Sequence, residues 1–282
     1  MIKPVLKDDA FLADVKRASA DESVVHLWWL GQSGFLLKYG NRYLLMDPYL
    51  SDSLTKKYAG TDKPHVRMTE RVADPARMDF VDVVTSSHNH TDHLDAETLM
   101  PLMKANPAIR IIAPGANRQI VSERLGIDLA TILEANEGKT INVAGFLITG
   151  IIAAHPQVER DEQGRSKYLG YAIQAGFCTI YHSGDTLWND AIVEQVKPFK
   201  VDMALLPING DRPERRVAGN LDGAQAARLA KAIGARDVIP CHYDMFEFNT
   251  ASTNEFVREC QKIGQTYGIL RAGQRLNLRR RS

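Results

Sequence analysis

Residues 86–95 read SSHNHTDHLD and set His88, His90, Asp92 and His93 in an H-x-H-x-D-H pattern. The apolar run before it, FVDVVTSS over 80–87, reads as a buried strand. The cluster therefore belongs in a loop at a strand end, where layered α/β proteins keep their sites. In an extended turn, residues i and i+2 can point to one side, so His88 and His90 can grip one ion. Asp92 and His93, further along the turn, can face a second. Other strand ends deliver the same residue types. His155 ends FLITGIIAAH, His182 and Asp185 lie in YHSGDT, and His242 ends DVIPCH. A polar loop with scattered surface histidines would not repeat that placement.

The rest of the chain alternates strand and helix patterns. Residues 5–18 read as a short amphipathic helix, followed by strands at 24–30, 35–40 and 42–48 separated by glycine turns. Residues 51–79 are polar and irregular, long enough to suggest a functional loop over the site. Helices are expected at 95–104 (capped by Asp95), 117–125, 187–196, 222–233 and 253–263. Strands are expected at 109–114, in 139–155 (two), 168–176, 178–184, 201–208 and 237–242. The run 268–278 closes the chain. This grammar gives an α/β class with helices outside the sheets. No linker divides it, so one domain over 1–282 is expected, with 1–20 as an N-terminal helical extension. His26 and the Trp28–Trp29 pair read as packed core, His65 as a solvated or structural loop histidine, and Arg279–Arg281 as a solvated tail.

Composition excludes several classes. With 35 Lys and Arg against 34 Asp and Glu, the net charge of +1 argues against a general nucleic-acid binder. Three cysteines without CxxC spacing provide neither a disulfide framework nor a cysteine-only metal site. No apolar stretch approaches the ~20 residues of a membrane span, and the charged N-terminus does not read as a secretory peptide. The expectation is a cytoplasmic protein acting on a small molecule, with a homo-oligomer left open.

Together WWLGQSGFLLK (28–38), SSHNHTDHLD (86–95), YHSGDT (181–186) and VIPCHYD (238–244) resemble the metallo-β-lactamase superfamily. Within it the chain is most similar to the L-ascorbate-6-phosphate lactonase group, over about residues 24 to 250. The resemblance implies an αβ/βα four-layer sandwich, two central mixed β-sheets with helices on both outer faces. It implies two divalent metal ions, Zn or Mn. His88, His90 and His155 would hold the first, Asp92, His93 and His242 the second, and Asp185 would bridge them. Asp47, in LLMDP, would order the histidine loop from behind, and His182 would hydrogen-bond a ligand. The best-known β-lactam hydrolases carry cysteine where this chain has Asp185, which argues against that activity.

The expected reaction is the opening of a sugar or sugar-phosphate lactone by a metal-bridging hydroxide. Asp92 would orient it and pass a proton to the leaving alkoxide, and Tyr243, beside His242, would donate to the oxyanion. An anionic substrate would need a cationic anchor, for which Arg212, Arg215 and Arg216 in NGDRPERR are candidates. The alternative is a phosphodiesterase, since HNHxDHLD also resembles N-acyl phosphatidylethanolamine phospholipase D.

Overall fold

The eight residues of β1 (Val24–Gly31) are all buried, so the strand must be covered on both faces. Period-two alternation divides them. Val25, Leu27 and Trp29 enter the core between the sheets, while Trp28 and Leu30 enter a second core beneath helices. The two tryptophans are thus core on opposite faces. Phe11 of α1 (Asp8–Arg17) packs edge-on against Trp28, whose indole donates to Asp14 at 2.9 Å. Truncating Trp28 to alanine would destabilise the fold by roughly 3–5 kcal/mol.

The computed structural model describes residues 1–280. After β1 come β2 (Gly34–Tyr39), β3 (Arg42–Met46), α2 (Ser53–Lys57), β4 (Val83–Thr85), α3 (Ala96–Ala105), β5 (Arg110–Pro114), α4 (Arg118–Leu125) and β6 (Ile132–Ala135). Then follow β7 (Thr140–Val143), β8 (Phe146–Ile152), β9 (Leu169–Ala175), β10 (Cys178–His182), α5 (Asp190–Val196), β11 (Met203–Pro207) and α6 (Gly223–Ala232). The chain continues through β12 (Asp237–Cys241), α7 (Asn254–Ile263), β13 (Thr266–Tyr267) and β14 (Arg275–Arg279).

The strands form two seven-stranded mixed sheets, ordered β14-β1-β2-β3-β4-β5-β6 and β13-β12-β11-β10-β9-β8-β7. Helices α1, α3 and α4 cover the outer face of the first, and α5, α6 and α7 pack against the second. This is the four-layer sandwich with helices outside. Local chemistry sets the boundaries. Asp222 accepts from the Gln225 backbone at 2.7 Å while Gln225 returns a bond to the Asp222 amide at 3.0 Å, a reciprocal cap that starts α6.

Strand direction fixes where the loops gather. In the first sheet β1, β3, β4, β5 and β6 run one way, because β2 is antiparallel to both β1 and β3 and the later pairs are parallel. In the second, β8, β10, β11 and β12 share a direction by the same reasoning. Their C-terminal ends carry Gln32, Asp47, His88, His155, Asp185 and His242, the crevice position favoured for ligands in α/β sheets.

Several local expectations need correction. Asp95 precedes α3, but its carboxylate accepts from the Thr98 hydroxyl instead of a free backbone amide. β6 was not expected, because ILEA mixes a carboxylate into a strand without alternation. The N-terminal segment is docked: Ile2 bridges Thr69, and the Val5 amide donates to Ala272 at 2.8 Å. Arg279 belongs to β14 and the Arg280 amide donates to Ser23, so those two are not a free tail; Arg281 lies outside the described residues. All three cysteines are free and buried, and His26 is buried against Asn277 and Ser19. Among the described residues, no helix is long and apolar enough to cross a membrane.

Candidate metal centre

Loops from both sheets bring seven side chains together. His88, His90, His155 and Asp185 present ligand atoms within 4.8 Å of one another, and so do Asp92, His93, Asp185 and His242. Asp185 belongs to both sets through different oxygens. Its Oδ1 lies 3.2 Å from Nε2 of His93 and of His242, and its Oδ2 lies 3.6 Å from His155 Nε2. Asp92 Oδ2 is 3.5 Å from the same two nitrogens of His93 and His242. Two ligands bound at ~2.1 Å in tetrahedral array are ~3.4 Å apart, so these separations suit a shared cation.

The hydrogen-bond inventory points the same way. His88 Nε2, His93 Nε2 and Asp185 Oδ1 are buried without a hydrogen-bond partner. Buried polar atoms are seldom left so, and these three, one from each ligand set and one from the carboxylate common to both, fit the binding of divalent metal. The far side of the rings is satisfied. His93 Nδ1 bonds Asp47 at 2.6 Å, and His155 Nδ1 bonds the Gly219 carbonyl at 2.8 Å. These contacts fix ring orientation and leave Nε2 to face inward. Asp47 also accepts from the Ser87 amide at 2.8 Å and from its hydroxyl, tying β3 to the histidine loop.

The backbone is bent to achieve this. Gln32, Asp47, His242 and Asp244 all have positive φ, at 51°, 39°, 65° and 55°. Non-glycine residues avoid that region, and such strain gathers at sites where surroundings hold it in place. Gly184, at φ 59°, is obligatory for a further reason: a Cβ there would lie 2.5 Å from the Ser87 side chain.

Electrostatics divide the centre. Burial pushes His88 well below the usual histidine range, with the neighbouring imidazoles adding to it, and takes His90 to about 4. His155 is lowered by burial too. In the other set burial opposes charge, but Asp185 and Asp92 outweigh it. His93 is held well above its ordinary range and His242 rises to about 9. Burial likewise opposes the charge of both carboxylates, yet His93 and His242 hold Asp92 and Asp185 below the usual range.

Above the centre lies a cleft of about 530 Å³. Its walls include His90, Asp92, His155, Asp185 and His242, and also Lys57, Tyr58 and His65 from the 51–79 segment. Arg124, Tyr168 and Asn249 complete much of the rest. His65 thus stands on the cleft wall, stacked on Tyr58 at 4.5 Å, and not in solvent. Sequence reasoning missed Gln32, whose amide donates to Asp92 at 2.9 Å and sits 3.0 Å from His242 Nε2. It also missed Tyr168, whose ring lies 5.1–5.9 Å from His88, His90 and His155. Position directly after Gly31 at a strand end was the one signal for Gln32; Tyr168 had none.

Other expected site residues lie elsewhere. Tyr243 is buried, packs on Trp29 at 4.5 Å and donates its hydroxyl to the Leu270 carbonyl, so it cannot serve the cleft. His182 Nε2 donates to the Ser33 carbonyl at 3.0 Å and bonds no member of the cluster. Arg215 is occupied by Asn209, Asn249 and Thr250, and Arg216 pairs with Asp62. Arg212 is exposed. None of the three lines the cleft, which receives Val217 and Ala218 from that loop.

Comparison with known proteins agrees with the geometry. Residues 42–243 match the family model described as "Beta-lactamase superfamily domain". A "UPF0173 metal-dependent hydrolase" of Rubrobacter xylanophilus is 30% identical over 84% of this chain and 88% of its own. One from Saccharolobus solfataricus is 27% identical over 90% of this chain and all of its own. Among solved structures, the metallo hydrolase Igni18 of Ignicoccus hospitalis superposes with a TM-score of 0.67 at 20% identity, covering 92% of this chain and 100% of that one. An isothiocyanate hydrolase from Delia radicum gut bacteria gives 0.70 at 18% identity, over 90% and 99%. These two show a shared fold. With a matched family model, a 30% identical relative and a His/Asp cluster suited to a divalent metal, the chain belongs to the UPF0173 metal-dependent hydrolases of the metallo-β-lactamase superfamily.

Proposed function

We propose that the protein is a lactonase with a two-cation centre, opening the ring of a small polar lactone of sugar type. The observation that carries this reading is the division of the Asp185 carboxylate between the two ligand sets, with Asp92 on the open side. His88, His90 and His155 would hold one cation, Asp92, His93 and His242 the other, and Asp185 both. Five imidazoles favour zinc, with manganese the alternative. A bound pair of such ions supplies hydroxide near neutral pH and polarises a carbonyl.

The chain's own residues supply the rest. Asp92 is the more accessible carboxylate, at 15% side-chain exposure against 6% for Asp185. Gln32 fixes its Oδ2, and its ionised form orients the attacking water and relays a proton to the ring oxygen as it leaves. Tyr168, in place of Tyr243, lines the cleft beside His88, His90 and His155 and would donate its hydroxyl to the carbonyl oxygen as charge develops there. Mostly polar walls suit a sugar-like substrate better than an acyl chain.

The test is hydrolysis by zinc- and manganese-loaded protein over sugar lactones, phosphorylated sugar lactones, acyl-homoserine lactones and a bis-aryl phosphodiester, with His90→Ala as control. Lactone opening that disappears in the control is the expected result. Phosphodiester cleavage without lactone opening would replace this reading with the phosphodiesterase one.

A further inference from the structure

Two cations stand in the cleft wall that the ligand sets do not use. Lys57 ends α2, and Arg124 lies in the last turn of α4. The Lys57 ammonium donates to the Thr91 hydroxyl at 3.3 Å. The Arg124 guanidinium donates through Nη1 to the carbonyls of Asn89 at 2.6 Å and Leu94 at 3.1 Å. Asn89 and Thr91 are the residues on either side of His90, so the two charges are tethered to both flanks of one metal-facing histidine.

Their neighbours make the contrast. Lys56, one residue earlier, is paired with Glu97 at 2.7 Å on the outer surface. Arg118, on the same helix as Arg124, is paired with Glu134 at 3.0 Å. Among the described residues, the hydrogen bonds of Lys57 and Arg124 reach only neutral oxygens, neither side chain pairs with a carboxylate, and the Lys57 ammonium also lies over the Tyr58 ring at 5.4 Å. The Asp95 carboxylate acts on Arg124 through space without forming an ion pair with it; its Oδ2 accepts from the Thr98 hydroxyl. Arg124 is half-buried and desolvated, and two of its donors are fixed by carbonyls. An anion arriving in the cleft meets a preset guanidinium and an exposed ammonium, a combination suited to an oxyanion with several acceptor oxygens.

We propose that Lys57 and Arg124 form a subsite for a second anionic group of the substrate, a phosphate or a carboxylate remote from the bond that breaks. The kinetic form of this inference rests on the lactonase reading; its binding form does not. It replaces the Arg212–Arg216 segment as the anion anchor and narrows the substrate class to anionic sugar-type lactones.

Calorimetric titration of the cation-loaded full chain tests the binding form with three probes: gluconate, phosphogluconate and glucarate. All three carry one carboxylate for the metal centre, and the last two carry a second anion. Wild type should bind phosphogluconate or glucarate about tenfold tighter than gluconate, and which of them gains identifies phosphate or carboxylate. Lys57→Met should reduce that ratio, and Lys57→Met with Arg124→Gln should bring it to about one while leaving gluconate within about twofold. Metal content is measured in each variant; if Arg124→Gln loses metal through the Asn89 tether, Lys57→Met and the charge-preserving Arg124→Lys decide. Equal affinities for all three probes in wild type, or a preference unchanged in Lys57→Met and Arg124→Lys, would overturn the subsite. In turnover, Lys57→Met should raise KM for a phosphorylated lactone about tenfold with kcat and the neutral lactone little changed. A wild type that opens no lactone defeats the functional reading alone and leaves the titration ratio to judge the subsite.

Discussion

The two halves of the metal centre use the same ring in opposite states. In the half formed by His88, His90 and His155, burial among imidazoles lowers every pKa, and the rings are neutral near pH 7. In the half formed by Asp92, His93 and His242, burial is as deep, but Asp92 and Asp185 face the rings and hold protons on them. The difference teaches that carboxylates which suit a cation also suit protons. If each half takes a cation, as proposed, one is ready to accept it and the other must exchange protons for it.

The strongest way to break this comparison is to remove what the halves share. Asp185→Asn should abolish turnover and reduce the protein to one tightly held cation or none, read by metal analysis after dialysis. Two retained ions would show that the shared carboxylate has been misassigned. Next comes Asp92→Asn, which keeps shape but removes charge from the second half only. A fall in kcat of about 10²- to 10⁴-fold is expected, with the first cation still bound. Equal loss of both cations would erase the distinction between halves. Asp47→Asn weakens the orientation of His93, and a loss of about 10- to 100-fold in affinity for the second cation is expected by competition with a chelator.

The smallest effect is also the most direct. If each ligand set takes a cation, as proposed, binding displaces protons from the second half, so affinity there should rise with pH at least to about 9, the value for His242, while affinity in the first stays flat above about 6.5. Titration in buffers of different ionisation enthalpy counts the protons released. For the metal-free fold the signs also differ. His90 binds fewer protons folded than unfolded, so its contribution is present above about 6.5 and is lost as pH falls through about 4. His242 binds more, so its contribution is present below about 6.5 and is lost as pH rises through about 9. Chemical denaturation of the apo chain between those limits should therefore show both flanks, and a single flank would mean that the halves titrate alike.

Much of the centre is legible in the sequence because it is local. His88, His90, Asp92 and His93 sit in one turn, and His155, Asp185 and His242 each follow an apolar run that ends at the shared crevice. Sheet order is not local, but runs such as VVHLWWL require cover on both faces and so imply layers. The misses arise where adjacency in sequence departs from adjacency in space. Tyr243 follows His242, but the left-handed turn at His242 sends the two side chains to different places, one to the centre and one under Leu270. Arg215 and Arg216 follow a strand that ends near the cleft, yet loop contacts consume them. Lys57 and Arg124 reach the cleft only through the docking of two helices, which no window of sequence displays.

The left-handed turns have a consequence for engineering. Gln32, Asp47 and His242 adopt this backbone at the centre, while Ala144 and Lys200, at φ 48° and 50°, adopt it far from the ligand sets. The conformation disfavours any L-residue with a Cβ by roughly 1–2 kcal/mol, and glycine relieves it. A thermostability screen blind to turnover should therefore favour glycine at 144 and 200, and the resulting variants should keep full activity. At 32 and 47 the same relief removes a side chain that orients a ligand, and at 242 it removes a ligand itself. Left-handed positions thus divide into those that selection for heat resistance alone can repair and those that record what the enzyme gives up in stability to work.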